Sequence, residues 1–237
     1  MPSRTLLTGA SLADAVLLSH TEGGRAWPVL VWAPGPGVRM VSSAVLGGGI
    51  GPRAWVLNAQ VPPGYGRLDP VAHLRELAAG AGLEGPGVGL MTAAPVSDLR
   101  HAEDGGVRAV VTAGIGVRGW AAAPGAGGVA VPRPGTINII VSLPVPLTDA
   151  ALVNAVATAT EAKVQALVEL GADASGTPTD AVCVAAPTAP DNGTGTGTGT
   201  GPEPFAGPRS LWGARLARAV HAATRAACAD ALAVRRS

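Results

Sequence analysis

A threonine hydroxyl and a carboxamide stand at the start of an apolar stretch in the middle of the chain. Gly135 is followed by Thr136, and residues 136–143 read TINIIVSL, a β-branched run that predicts a strand buried on both faces. A hydroxyl at the start of such a strand can face a cleft and act as a nucleophile. Asn138 lies two residues further on and therefore shares the face of Thr136. Because threonine is an ordinary strand residue, a purely structural role stays open at this point.

The only lysine of the chain, Lys163, falls on the apolar face of a predicted helix. This helix is capped by Thr148 or Asp149 and ends at Gly171. At about 100° per residue, the opposite face carries Asn154, Thr158, Glu161 and Gln165. A lysine in an apolar stripe either extends its amine to water or is held by a buried partner. In the second case it suits general-base or charge-stabilising chemistry.

Three hydroxyls and a carboxylate are concentrated in the segment SGTPTD, residues 175–180, before another predicted strand. Thr177, Thr179 and Asp180 could bind a polar substrate or assist proton transfer there. Asx-turns and ST-turns have the same composition, so a structural turn is the first interpretation from the residues alone.

A glycine-rich segment, GGGIG at residues 47–51, follows a predicted strand and precedes Asn58. Glycines allow a ligand to approach the backbone and can present amide donors, which makes Gly48 and Gly49 candidate substrate-binding residues. The segment has neither the GxGxxG spacing nor the lysine of a phosphate-binding loop, which argues against a nucleotide site.

The charge and the apolar content of the chain argue against several classes of protein. The 237 residues carry 17 Lys plus Arg against 16 Asp plus Glu, so neither nucleic acid nor a membrane is an expected partner. No apolar run approaches the roughly 18 residues of a membrane-spanning helix, and we expect a cytoplasmic location. Cys183 and Cys228 are far apart, and the four histidines lack metal-ligand spacing. Buried free thiols and no metal site are therefore expected.

The predicted elements mix strands and helices without a regular βαβ alternation, which favours a single layered α+β domain over residues 1–237. Mixed or antiparallel sheets covered by helices are expected. Besides the helix described above, helices are expected at 11–18, 69–82 and 210–234. The Gly-, Thr- and Pro-rich segment at 187–208 is predicted to be a flexible loop. Strands are expected at 28–33, 38–45, 54–61, 88–93, 107–113, 136–143 and 180–186.

A combination of motifs spans the chain from about residue 41 to the final helix and omits the Gly-Thr loop. The motifs are SSAVLGGGI (42–50) with Asn58, GLMTAA (89–94), VVTAGIG (110–116), PGTINIIV (134–141), LTDAALVNAVATATEAKVQAL (147–167) and SGTPTDAVCVAAP (175–187). Together they resemble the adenosylcobinamide amidohydrolases. Two positions depart from the pattern of that family. Pro178 stands where relatives tend to have glycine, and Arg209 stands where they usually carry histidine.

The resemblance implies a hydrolase acting on the linear amide that joins the corrin propionyl side chain to aminopropanol in adenosylcobinamide. The products would be adenosylcobyric acid and 1-aminopropan-2-ol, so that incomplete corrinoid re-enters cobamide (vitamin B12) synthesis. The cobalt-containing corrinoid is then the substrate, and no cofactor is certain. The chain could also form a homo-oligomer. A wide cleft lined by glycines and by Trp27, Trp32, Trp55 or Trp120 would suit such a substrate.

A second resemblance concerns the mechanism. The order of Gly-Thr, buried strand, helix and Gly/Thr/Asp turn is similar to that of the αββα self-processing aminopeptidases and ornithine acetyltransferases. In those enzymes a Ser or Thr at the strand start is the nucleophile, which implies that Thr136 attacks the amide carbonyl. Asn58 or the glycine-loop amides would then stabilise the oxyanion. Lys163 or the Thr177/Asp180 turn would assist proton transfer.

The same resemblance leaves two questions about the mechanism open. Cleavage of the Gly135–Thr136 bond would free an α-amine that could act as the base. In a direct-water mechanism, Glu161 or Asp180 would be the base, and Thr136 would only bind the substrate.

Two other functions stay in competition with the hydrolase. One is a corrinoid-binding protein without catalysis, which would release no amine from adenosylcobinamide. The other is a self-processing Thr-nucleophile peptidase or acyltransferase that acts on small peptides or acylated amino acids. The breadth of the matching motifs favours the hydrolase.

Overall fold

Ten strands and three helices make up the described part of the chain. A computed structural model describes residues 11–124, 135–189 and 201–233. The helices are Pro70–Gly80 (α1), Asp149–Glu169 (α2) and Leu211–Ala233 (α3). The strands are Val16–Glu22 (β1), Arg25–Trp32 (β2), Val38–Ser42 (β3), Gly49–Pro52 (β4), Trp55–Gln60 (β5), Gly87–Thr92 (β6), Arg100–Asp104 (β7), Val107–Gly114 (β8), Thr136–Ser142 (β9) and Ala181–Pro187 (β10).

The strands form two mixed sheets. The smaller sheet has the order β1-β2-β5-β6, and the larger sheet has the order β4-β3-β10-β9-β8-β7. Most neighbours are antiparallel, but β5 pairs with β6, and β9 with β10, in parallel. Each parallel pair is joined through a helix, α1 in the smaller sheet and α2 in the larger one, because parallel strands need a crossover connection. The predicted α+β class is confirmed.

Three apolar clusters show how the sheets and helices stack. One cluster lies between α1 and the smaller sheet and includes Leu57 and Leu74. The second lies between the two sheets and includes Val88 and Ile140. The third joins the larger sheet, through residues such as Ile139, to α2 and α3. The layers therefore follow the order α1, smaller sheet, larger sheet, and the α2–α3 pair, which is an αββα arrangement.

Strand β9 is buried on both faces, as its sequence predicted. Ile137 and Ile139 belong to the cluster beneath the helices, whereas Ile140 belongs to the cluster between the sheets. Side chains alternate along a strand, so Thr136 and Asn138 share the face of Ile140. The two polar side chains are thus directed to the space between the sheets.

The helix predicted at 11–18 is wrong. Leu12–Asp14 form a 3-10 turn whose capping box joins Ser11 and Asp14, and the chain then enters β1. Strand β1 alternates between exposed and half-buried residues and pairs with β2 across a two-residue turn. Gly23 and Gly24 occupy this turn with φ values of 58° and 76°, which tight hairpins favour. Pairing with β2, which follows directly in the chain, therefore makes Val16–Glu22 a strand and not part of a helix.

The segment at 187–208 lies only partly within the described residues, because residues 190–200 are outside them. Its last part packs on α2, where the Thr158 hydroxyl donates to the carbonyl of Ala206 at 2.8 Å. Among the described helices, none combines the length and the apolar character needed to cross a bilayer.

Candidate active site

The larger sheet places Thr136 beside the turn at residues 175–180. Because β9 and β10 run parallel, both strands begin at the same edge of the sheet. Thr136 is the first residue of β9 and is 7% exposed, and Asp180 immediately precedes β10. The hydroxyl oxygens of Thr136 and Thr179 are 2.5 Å apart. Two strand starts, joined through α2, thus form one polar site.

Lys163 and Asp180 form a nearly buried ion pair at this site. The Lys163 Nζ atom is 2.6 Å from Oδ2 of Asp180, and the two side chains are 9% and 12% exposed. The carboxylate also accepts hydrogen bonds from the Ile137 amide (2.8 Å), the Thr177 amide (3.1 Å) and the Thr177 hydroxyl (2.5 Å). A buried carboxylate needs such partners. Of the two interpretations open for Lys163, the structure has the one with a buried partner.

Gly176 leaves room for this ion pair. A Cβ atom at Gly176 would overlap Oδ2 of Asp180 and would lie only 2.7 Å from Nζ of Lys163. The glycine of the SGTPTD segment is therefore needed for close packing against the pair.

The carbonyl of Gly135 is surrounded by hydroxyl groups. The Thr177 hydroxyl lies 2.8 Å and the Thr179 hydroxyl 3.0 Å from this oxygen. Each hydroxyl has one proton, so if Thr177 donates to Asp180, Thr179 is left to donate to Gly135. In that assignment the Thr136 hydroxyl donates to Thr179, and the lone pairs of its oxygen stay available.

Asn138 and Asn58 form a buried amide network across the two sheets. The side-chain amide of Asn138 donates to Oδ1 of Asn58 at 2.8 Å and to the carbonyl of Met91 at 3.1 Å. The amide of Asn58 in turn donates to the Thr112 hydroxyl at 3.0 Å. This contact uses one of the two protons on the Asn58 amide nitrogen, and the Oδ1 atom of Asn58 orients Asn138. The role of Asn58 as an oxyanion donor stays a prediction. Oδ1 of Asn138 is a buried acceptor with no partner among the described residues.

Thr136 and Asn138 line a cavity of about 460 Å³ between the sheets. Thr179 and Asp180 contribute to the same wall. Two other cavities, of about 280 and 340 Å³, are lined by none of the predicted catalytic or substrate-binding residues except Trp32, which lines the larger of the two. The cavity of about 460 Å³ is therefore the candidate substrate site, and we call it the inter-sheet cavity.

Three lining residues of the inter-sheet cavity were not expected from the sequence: Ser43, Tyr65 and Thr92. Ser43 and Thr92 lie within the SSAVLGGGI and GLMTAA segments, and Tyr65 is the only tyrosine of the chain, so the sequence did hold a signal for each. The Tyr65 hydroxyl lies 2.9 Å from Nδ1 of the buried His73. Burial raises the pKa of Tyr65 and lowers the pKa of His73.

The glycine-rich segment packs against β6 and does not line the inter-sheet cavity. A Cβ at Gly47, where φ is 73°, would overlap the carbonyl of Gly87, so the glycine permits a close approach of two backbones. Neither Gly48 nor Gly49 lines the cavity, whereas Ser43 to Val45 do. The substrate contact predicted for Gly48 and Gly49 stays a prediction, and it would not be made from the lining of this cavity.

Glu161 lies apart from this site on α2. It is exposed and precedes Lys163 by two residues, which puts it about 200° around the helix. The structure therefore does not bring Glu161 to the other candidates. Thr158, predicted on the same polar face, is buried because the 201–208 segment covers it.

None of the tryptophans lines the inter-sheet cavity, so a substrate cleft lined by tryptophan stays a prediction. Trp32 and Trp55 are 4% and 5% exposed and belong to the core. The two departures from the family pattern, Pro178 and Arg209, are both exposed. The threonines on either side of Pro178 still reach the Gly135 carbonyl.

Comparison with known proteins decides the family. The family model described as adenosylcobinamide amidohydrolase matches residues 14–236. The chain belongs to this family. A protein of Methanosarcina mazei named adenosylcobinamide amidohydrolase is 35% identical over 178 residues, which cover 75% of this chain and 84% of that protein. No solved structure matched the chain. As a member of the family, the chain is a hydrolase that acts on an amide.

Proposed function

We propose that the chain hydrolyses the aminopropanol amide of adenosylcobinamide and releases adenosylcobyric acid and 1-aminopropan-2-ol, which serves the salvage of incomplete corrinoids. The observation that carries this proposal is the position of the Thr136 hydroxyl on the wall of the inter-sheet cavity, beside the Lys163–Asp180 pair. We also propose that residues 1–237 act as one domain, because the cavity takes its walls from both sheets.

The size of the inter-sheet cavity suits the reacting arm of the substrate. A volume of about 460 Å³ falls within the range of small-molecule sites. A corrinoid is larger, so the side chain with the amide would enter and the ring would cover the mouth. Val45 lines the cavity and is 56% exposed, and Leu68 is fully exposed in the segment between the lining residues Tyr65 and Pro70. Apolar contacts of this kind would support the ring.

In the proposed reaction, Oγ1 of Thr136 attacks the amide carbonyl carbon and its proton moves to the leaving amine, with the Thr179 hydroxyl as the adjacent relay. The C–N bond breaks, 1-aminopropan-2-ol leaves, and an ester on Thr136 remains. Water then hydrolyses this ester and restores the hydroxyl. The Lys163–Asp180 pair holds the turn that carries Thr179, so we assign it a positioning role.

Two polar groups of the wall would orient the substrate amide. The unpartnered Oδ1 of Asn138 can accept the N–H of that amide, which would satisfy a buried acceptor. The Ser43 oxygen accepts the Val182 amide at 3.0 Å, so its own proton can be donated to the substrate carbonyl. Both contacts would favour the geometry for attack by Thr136.

A Thr136→Ala variant tests the nucleophile. We expect wild type to convert adenosylcobinamide to adenosylcobyric acid and the variant to lose at least about a thousandfold in kcat. The matched control is Thr160→Ala, which removes an exposed hydroxyl of α2 and should leave turnover unchanged. Full turnover by Thr136→Ala would favour direct attack of water. Asp180→Asn and Glu161→Gln then compare the two candidate bases, and we expect only the first to lose activity.

Intact-mass spectrometry tests whether the Gly135–Thr136 bond cleaves itself. In the proton assignment given above, the Thr179 hydroxyl donates to the Gly135 carbonyl, and this hydrogen bond would polarise the carbonyl for attack by Thr136. Two fragments would mean that an α-amine with a pKa of about 8 is present as the base. A single mass near 23.3 kDa would exclude self-cleavage.

A further inference from the structure

Two histidines and a glutamate meet beside Tyr65, and none of the three lines the inter-sheet cavity. His20 and Glu22 lie two residues apart on β1 and therefore share one face of the strand. His73 comes from α1, which packs on the same sheet. One ring nitrogen of each histidine and one carboxylate oxygen of Glu22 all lie within 4.8 Å of one another. We call this group the His–Glu cluster.

The other nitrogen of each histidine in the His–Glu cluster already has an oxygen partner. Nε2 of His20 is 2.7 Å from the carbonyl of Gln60, and a carbonyl can only accept, so this nitrogen carries the proton. Nδ1 of His20 is then a lone-pair donor, and it is buried without a hydrogen-bond partner. His73 bonds Tyr65 through Nδ1 and directs Nε2 to Glu22 at 3.6 Å. Metal-binding histidines show this arrangement, in which the outer nitrogen is fixed by an oxygen.

Within the described residues, no lysine or arginine forms an ion pair with the Glu22 carboxylate, and its one ion-pair contact is to the imidazole of His73 at 3.6 Å. Its Oε2 atom is buried and has no hydrogen bond, which is costly for a charged oxygen. Arg67 lies in the segment before α1, but its guanidinium is bound to Asp69 and Glu76 at distances of 2.8–3.3 Å. An additional positive charge between the three side chains would remove this cost.

We propose that His20, Glu22 and His73 bind one divalent transition-metal ion of the zinc type. Two imidazoles and one carboxylate are a ligand set that zinc accepts, with the fourth position left to water. In a tetrahedral site with ligand bonds of about 2.0–2.2 Å, ligand atoms are about 3.3–3.6 Å apart, so separations of at most 4.8 Å would shorten by up to about 1.5 Å when the ion binds. The ion ties β1 to α1 and, through His73, fixes Tyr65 in the wall of the inter-sheet cavity.

This site could not be seen as a sequence motif, because the two histidines are separated by β2 to β5. The proposal replaces the sequence expectation that the chain holds no metal. It is independent of the proposed reaction, since none of the three ligands lines the inter-sheet cavity and no step uses the ion.

Metal titration of the purified full-length chain tests the proposal. After removal of metal with a chelator, we expect one equivalent of Zn²⁺ to bind per chain and to raise the unfolding temperature. Co²⁺ bound at the same site should give visible absorption bands, which are lost when Zn²⁺ replaces it. The Glu22→Gln variant keeps the size of the side chain, and we expect it to weaken Zn²⁺ at least tenfold. His73→Gln should do the same, with circular dichroism as the check on folding.

The chain supplies a matched control for these variants. His101 and Glu103 repeat the His-x-Glu spacing of β1 on the edge strand β7, but both are exposed. The double variant His101→Gln/Glu103→Gln should bind Zn²⁺ as wild type does. The proposal is overturned if wild type binds no stoichiometric Zn²⁺, or if Glu22→Gln binds it as tightly as wild type. Adenosylcobinamide is absent from every arm, so failure here and failure of the proposed reaction are separate results.

Discussion

The ion pair of Lys163 and Asp180 holds two opposite charges where water hardly reaches them. Lys163→Met keeps a stem of similar length but leaves the carboxylate without its cation. We expect the free energy of unfolding to fall by about 3–5 kcal/mol, measured by urea unfolding. The control is Arg39→Met, which breaks a pair with Asp149 whose side chains are 36% and 62% exposed. We expect the control to lose less than about 1 kcal/mol, and equal losses would contradict the burial of the Lys163 pair.

The position of a side chain could be predicted from the sequence where the pattern of one helix or strand determines which face the residue occupies. The apolar stripe of α2 marks Lys163 as anomalous, and the structure supplies its partner Asp180. Strand alternation placed Asn138 on the face of Thr136, and both line the inter-sheet cavity. The bond from Asn58 to Thr112 could not be predicted, because it joins strands of different sheets.

The start of α3 packs closely on the segment before it. A Cβ at Gly213 would overlap the backbone carbonyls of Ala206 and Gly207. Helix propensity alone would make Gly213→Ala stabilising by up to about 1 kcal/mol, but this overlap should reverse the sign and cost about 1–3 kcal/mol. Gly80→Ala at the end of α1 is the control, since a Cβ there meets nothing within 4 Å. Thermal unfolding should show the control unchanged or slightly more stable, whereas a fully stable Gly213→Ala would contradict the close packing.

Long elements with strong patterns could be predicted from the sequence. The helix expected at 69–82 is Pro70–Gly80, and the buried strand TINIIVS is β9. The edge strands β4 and β7 were not predicted, because they are short and their conformation depends on pairing with β3 and β8. The layer order also depends on contacts between elements distant in sequence, and no local pattern determines them.

The two cysteines lie in different layers of the molecule, so the reactivity of each thiol tests the packing of its own layer. Cys183 lies between the sheets and Cys228 lies beneath the helices. Burial raises the pKa of each thiol from 9.0 to about 12. At about pH 8 we therefore expect neither thiol of the native protein to react with a disulfide reagent, and both to react in denaturant. Rapid labelling of the native protein at either cysteine would contradict the packing of that layer.

The same thiols make the stability of the fold depend on alkaline pH. Their pKa is higher in the folded state than in the unfolded state, so the fold favours the un-ionised form. The contribution of the two thiols to the free energy of unfolding is therefore fully present below about pH 9, and it is lost as the pH rises from about 9 towards 12. Cys183→Ala should therefore lose less unfolding free energy than wild type between about pH 8 and pH 10.5. If the free energy of unfolding falls equally with pH in the two proteins, the raised pKa of Cys183 is contradicted.

The inter-sheet cavity takes one wall from the end of β6 and the other from the start of β9. A substrate arm lodged there would act as a cross-link between layers that are otherwise joined mainly by apolar packing. Because the substrate would bind only the folded state, its binding free energy would add to the free energy of unfolding. When the corrinoid saturates the protein, the amide hydrogens of β6 and β9 should then exchange more slowly. The exchange rates of the two strands should fall by a similar factor.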